Sequence, residues 1–353
     1  MKSLREAELG NTLKDKFTFD FSAPESSTID VKKLKKFLQK DKNPTLIFYG
    51  GEPLLEKEKI MQIMDEISVP FRMQTNGKLL NTLPPKYLNR MGRILVSIDG
   101  NKARTDKNKG KGTYDSVMDN LELIQEQGYK GEIVARMTIS PDSGSDIYEQ
   151  VLHLLSTGFT SVHWQIDAGF YKFDYNKEKF EKFVEEYNKG ITKLINYWVN
   201  DIKEKGRVLK LYPFLGIVHS LLNNEKVKLR CGAGHGGYAI TTDRKIIACP
   251  IMSSIVDFEA GDLNSKPEEL TKFDVGGDCL KCSYKDLCGG RCLYSNKAEL
   301  WPKEGNELIC KTIKHLIDEL KNKLPEIQKL INDGTIMLQD FNYEKYFGPE
   351  IIP

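Results

Sequence analysis

The chain has 353 residues, enough for two to three domains or for one barrel with an appendage. Hydrophobic residues make up 40% and charged residues 29%, which supplies a large core and excludes global disorder. Lys and Arg number 52 against 50 Asp and Glu, and this balance, net +2, speaks against a dedicated nucleic-acid binder.

Residues 1–20 are polar and charged and lack the apolar stretch of a signal peptide. The longest mostly apolar run, 211–222, is interrupted by His219 and is too short to span a bilayer. The expectation is a cytoplasmic protein without a membrane or nucleic-acid partner.

Short runs at 45–49, 71–74, 93–98, 132–138 and 161–166 read as strands, being β-branched or aromatic and bounded by Gly, Asn, Asp or Pro. Their near-continuous apolar character fits a parallel sheet covered on its faces. Helical stretches lie near 30–40, 55–67, 84–90, 114–127 and 146–156. A longer one follows at 176–205, where Phe180, Phe183, Val184, Tyr187, Ile191, Leu194, Ile195, Trp198 and Ile202 keep helical spacing. Alternating strands and helices imply right-handed βαβ units in an α/β sheet or barrel. Such a series should open on a strand, yet this one opens on a helix. Either 16–21 (KFTFDF) is the first strand or that strand is absent from the chain.

From Leu229 the texture changes to Gly-rich turns, short strands and cysteines. Runs 238–242 and 245–248 around Thr242-Asp243-Arg244 read as a hairpin. A last helix at 309–323 should end or kink at Pro325, and the tail 335–353 is aromatic enough to pack on something. The expected division is a β/α barrel over 1–205, a connecting segment over 206–228, a cysteine-rich domain over 229–323 and a tail over 324–353.

All seven cysteines fall in the last third: Cys231, Cys249, Cys279, Cys282, Cys288, Cys292 and Cys310. An odd number without an export signal argues against a disulfide framework. Closely spaced thiolates point instead to zinc or to iron–sulfur clusters. The run Cys279-x2-Cys282-x5-Cys288-x3-Cys292 is unevenly spaced for paired zinc knuckles. Two zinc sites would need an eighth ligand, for which His235 is the nearby candidate.

This pattern resembles the seven-cysteine signature of the SPASM domain, the C-terminal extension of many radical S-adenosylmethionine enzymes. The block from Cys279 to Cys292, with Cys310 beyond it, matches without insertion. The first block departs from it: Arg244 stands where the family usually has glycine. The resemblance implies two auxiliary 4Fe–4S clusters. Cys231, Cys249 and Cys292 would hold one, with one iron open or otherwise ligated. Cys279, Cys282, Cys288 and Cys310 would hold the other.

The barrel segment carries further resemblances to the same family. Gly50-Gly51-Glu52-Pro53 after the first run is similar to its GGEP motif, which binds the methionyl amine of S-adenosyl-L-methionine. Asn76 lies in a Thr-Asn-Gly turn, and Ser97 and Asp99 in Ser-Ile-Asp-Gly. Lys109 stands where the family has an arginine for the cofactor carboxylate, and lysine lacks the bidentate fork. Arg136, on the run 132–138, would point into the barrel toward a ligand or form a structural ion pair at its rim, while Gln165 and Asp167 end the last run and could face cofactor or substrate. The implied architecture is α/β: a partial TIM-type (β/α)6 barrel, its first strand missing, with a C-terminal cysteine-rich domain.

The implied function is modification of a peptide or protein. A 5′-deoxyadenosyl radical would abstract substrate hydrogen, with ferredoxin or flavodoxin as reductant. The family's CxxxCxxC for the catalytic cluster is not present, because no cysteine precedes Cys231. The expectation is a chain lacking its true start, inactive as given, with a third cluster once that segment is restored. The competing reading is an iron–sulfur pseudoenzyme that carries electrons or scaffolds a partner.

Overall fold

The computed structural model describes residues 12–348 and 350–353. Helix α1 (Val31–Leu38) starts where the Asp30 carboxylate accepts from Lys32 N and Lys33 N, and it buries Val31, Leu34, Phe37 and Leu38. Strand β1 (Leu46–Phe48) and helix α2 (Lys57–Glu66) follow, then β2 (Phe71–Thr75), α3 (Pro85–Leu88) and β3 (Met91–Ser97). Next come α4 (Lys102–Lys109), α5 (Thr113–Glu126), β4 (Glu132–Ile139), α6 (Ile147–Ser156), β5 (Ser161–Ile166) and α7 (Lys177–Lys205). A two-residue strand, β6 (Lys210–Leu211), and helix α8 (Tyr212–Leu222) complete the series.

These six strands form one parallel sheet in sequential order, β1 to β6. The fold is α/β, a partial TIM-type barrel, as the strand–helix alternation implies. The sixth strand comes from 210–211, inside the stretch set apart as a connecting segment. A strand of two residues, Lys210 exposed and Leu211 buried, shows no alternation to read. Residues 16–21 join no parallel strand. Phe19 instead makes an isolated antiparallel bridge with Ile255 of the cysteine-rich region.

Alternation splits the sheet into two faces. Phe71, Met73, Ile94, Val96, Ala135, Met137, Val162 and Trp164 are buried in the large core. The other face carries Arg72, Arg93, Leu95, Ser97, Glu132, Val134, Arg136 and His163, aligned by the register Arg93↔Glu132, Leu95↔Val134, Ser97↔Arg136 and Arg136↔His163. The chain's own C-terminal tail packs on this inner face. Glu344 takes hydrogen bonds from Arg72 Nε (3.0 Å) and Nη2 (2.8 Å) and pairs with Arg93. Phe347 lies under the Arg93 guanidinium, 4.8 Å from it, and packs edge-on against Tyr212. His163 Nε2 donates to the Ile351 carbonyl at 3.2 Å.

Beyond α8 a three-stranded antiparallel sheet forms from β7 (Ala239–Ile240), β8 (Lys245–Ile247) and β9 (Glu259–Asp262). The β7–β8 hairpin turns through Arg244 at φ +76°, the left-handed conformation that glycine adopts freely. Short helices α9 (Lys285–Cys288) and α10 (Leu293–Ala298) lead to α11 (Lys303–Asn332). Helix α11 runs through Pro325 rather than stopping there. Burial of Leu316, Ile317 and Leu320 before it, and of Ile327 and Leu330 after it, outweighs the lost backbone hydrogen bond. Among the described residues no helix is long and apolar enough to cross a membrane.

Candidate functional site

The C-terminal ends of parallel strands meet along one edge, where β/α folds gather their chemistry. At the end of β1, a Cβ added to Gly50 or Gly51 would meet nothing within 4 Å. No neighbouring protein atom excludes a side chain there, so bare backbone leaves the loop open to a ligand. The Glu52 carboxylate is anchored from three sides: Leu54 N (3.1 Å) and Thr75 Oγ1 (2.8 Å) donate to Oε1, and Asn76 N (2.8 Å) to Oε2. The next turn is fixed by Gly77 at φ +80°, where a Cβ would lie 2.9 Å from a Val96 methyl. Asn120 Nδ2 donates to the Gly77 and Lys78 carbonyls at 2.9 and 3.0 Å. Glu52 and Asn76 therefore form one unit.

Beyond β3, Asp99 is buried at 1% exposure. Its carboxylate accepts from Thr138 N (2.9 Å) and Asn108 Nδ2 (3.0 Å). Lys109 Nζ lies 3.3 Å from it. Lys109 thus already has a buried partner. Arg136, whose Cα pairs with that of Ser97, donates from Nη2 to Gln165 Oε1 at 3.0 Å, while its Nε is buried with no partner. Burial disfavours its charged form. Next to it on the inner face, burial and the Arg136 charge push His163 down to about 3, so its imidazole is neutral. At the end of β5, burial raises the Asp167 carboxyl above the usual range and Arg291 opposes that rise.

The seven cysteines are free thiols. They fall into two electrostatic groups. Cys231 and Cys249 interact with each other and with Cys292. Cys279 interacts with Cys282 and Cys310, and Cys288 with Cys279 and Cys310. Burial pushes Cys231 up to about 12 and Cys288 to about 11, and raises Cys249, Cys279 and Cys310 too. Among the described residues no three His, Cys, Asp or Glu side chains are drawn together as a single metal ion would require. A donor set of three thiols beside one of four suits clusters whose thiolates each sit on a separate iron. Asn296 Nδ2 lies 3.6 Å from Cys279 Sγ, a hydrogen-bond donor to sulfur.

One of the contacts between the two halves is Arg291, which residue spacing did not single out. Its only sequence signal is a cation inside Cys288-Gly-Gly-Arg-Cys292. Its guanidinium donates to the Ile166 carbonyl (2.8 Å) and the Ala168 carbonyl (3.2 Å), on either side of Asp167.

Residues 19–155 match the family model described as Radical SAM superfamily. Over 281 residues the chain is 26% identical to an uncharacterized protein of Archaeoglobus fulgidus, covering 74% of this chain and 65% of that one. It is 32% identical over 128 residues to the Fe-coproporphyrin III synthase of Methanosarcina barkeri, covering 35% of this chain and 32% of that one. The chain thus spans less than two thirds of either relative. In three dimensions it is similar to native anSMEcpe with bound AdoMet and Kp18Cys peptide, with a TM-score of 0.62 and 17% identity over 84% of this chain and 90% of that one.

Proposed function

We propose that the chain is a radical S-adenosylmethionine enzyme acting on a peptide or protein, with a SPASM-type domain holding two auxiliary 4Fe–4S clusters. The observation that carries this reading is the division of the seven thiols into Cys231, Cys249, Cys292 and Cys279, Cys282, Cys288, Cys310. Both groups lie beside Arg291, which ties them to the end of β5. The neighbour solved with both AdoMet and a peptide bound supports the substrate class.

S-adenosylmethionine, once cleaved reductively, supplies the radical that removes a substrate hydrogen. The chain's own residues bind and orient. Glu52, held rigidly by Leu54, Thr75 and Asn76, presents its remaining Oε2 lone pair to an ammonium group. Gly50 and Gly51 let the loop backbone approach the ligand. Arg136 keeps one buried N–H free for a carboxylate beside Ser97. Gln165 holds Arg136 in place. Lys109 neutralises Asp99, which cross-links the ends of β3 and β4.

Anaerobic reconstitution tests the cluster content, with about eight irons and eight labile sulfides per chain expected. Stoichiometric zinc without labile sulfide would remove the reading. A dithionite assay for 5′-deoxyadenosine tests the chemistry. All seven cysteines lie at or beyond Cys231, and none is in the β1–β5 segment. The expected outcome is no turnover by this chain and turnover by a version carrying CxxxCxxC in frame upstream. Turnover by the 353-residue chain would require another catalytic cluster site. Inactivity of both would favour the electron-carrier or scaffold reading.

A further inference from the structure

Gly289, Gly290 and Arg291 are three consecutive left-handed residues, at φ +74°, +94° and +58°. The two glycines adopt this backbone freely, whereas an arginine there costs about 1–2 kcal/mol. The backbone thus accepts strain to place this side chain, which is 6% exposed. Two of its N–H groups are spent on the Ile166 and Ala168 carbonyls, and its plane lies 5.6 Å from the Phe170 ring. Nε is buried with no partner.

Among the described residues no carboxylate lies within ion-pair distance of this guanidinium. The titratable groups that act on it are Cys292, Cys288 and Cys310, then Asp167, and Tyr187 also feels its charge. Cys292 belongs to one thiol group, Cys288 and Cys310 to the other. A buried cation without a counter-ion is costly. Neutral thiols do not repay that cost, but thiolates ligating iron do.

We propose that Arg291 is the built-in counter-cation shared by the two cysteine sites, fixing them to the end of β5 and raising the reduction potentials of the clusters they hold. The inference rests on the two-cluster reading above. Each reduction adds negative charge to a cluster, and a nearby fixed cation stabilises the reduced form. Arg291 acts through the clusters and is a positioning residue.

The test is an EPR-monitored dithionite titration of the reconstituted full chain, with iron and sulfide determined for each variant. In Arg291→Gln the midpoints of both clusters should move to more negative potential at full iron content. Arg291→Lys keeps the charge but loses the two-carbonyl fork, so its midpoints should stay nearer the parent's. Unmoved midpoints in a fully loaded Arg291→Gln would overturn the inference and leave the two-cluster reading standing. A parent chain without labile sulfide would sink both. Should the glutamine variant not load, the lysine variant decides. Loading by lysine alone shows that the charge is needed and supports the inference. Failure of both, with unchanged circular dichroism, shows that a cation at this position does not secure loading and overturns the counter-cation role.

Discussion

The Asn76 amide donates to Glu52 Oε2 at 2.8 Å, joining two loops that follow different strands. Glu52 would have to fold this way before any ligand arrives, because Thr75 and Leu54 share its other oxygen. Glu52→Gln keeps the volume but turns an N–H toward one of these donors. The expected cost is about 1–3 kcal/mol in stability by urea unfolding, with weaker binding of S-adenosylmethionine by calorimetry. A variant with unchanged stability would show that the anchoring is dispensable.

Arg136 and Lys109 separate by their partners. Arg136→Met should weaken S-adenosylmethionine binding about tenfold or more, the loss of one hydrogen bond to a charged group. Lys109→Met should act mainly on stability, because it strips the buried Asp99 of its lysine partner. Calorimetric titration beside thermal unfolding reads both. The reverse pattern would return the carboxylate role to Lys109.

Glu350 is 3% exposed and takes hydrogen bonds from Phe347 N (3.1 Å) and Gly348 N (2.9 Å). Burial raises its carboxyl from 4.5 to about 7. The folded state therefore holds a proton that the unfolded chain releases. This contribution is fully present below about pH 4.5 and is lost as pH rises toward 7, a change of about 3 kcal/mol. Thermal unfolding between pH 5 and 8 should show the decline, and Glu350→Gln should flatten it. An equally steep decline in the glutamine variant would place the proton elsewhere.

Arg244 turns the β7–β8 hairpin at φ +76°. Arg244→Gly should stabilise the protein by about 1 kcal/mol by removing the left-handed strain, less the chain entropy glycine adds when unfolded. Chemical denaturation would measure it. A destabilised variant would mean that the arginine side chain makes up for its backbone.

The parallel strands were legible because each is a short apolar run ending in a polar turn. Their ends place Glu52, Asn76, Ser97 and Gln165 along one edge of the sheet. The two thiol groups came from the family resemblance rather than from spacing, since Cys292 interacts with the distant Cys231 and Cys249 although Cys288 is nearer in sequence. Other features had no local signal. β6 is too short to show a period. The continuation of α11 past Pro325 depends on packing by residues on both sides. Arg136 was visible as a cation on a strand, but its unpartnered Nε beside the Gln165 hydrogen bond emerges only in three dimensions. The partnership of Arg72 with Glu344 spans 272 residues, and no pattern in the sequence announces it.

That same partnership sets an order of assembly. Arg72 emerges from the ribosome long before Glu344, so it must wait solvated until nearly the whole chain has been made, while Arg93 can pair with Glu132 as soon as β4 forms. Contacts of such separation form slowly, because loop closure precedes the gain they bring. A fragment ending after α11 would leave Arg72 without its carboxylate, Arg93 with Glu132 alone and Tyr212 without Phe347. The barrel and the cysteine-rich half, joined by hydrogen bonds from Arg291, Tyr294 and Trp301 to the backbone carbonyls after β5, should melt in a single transition.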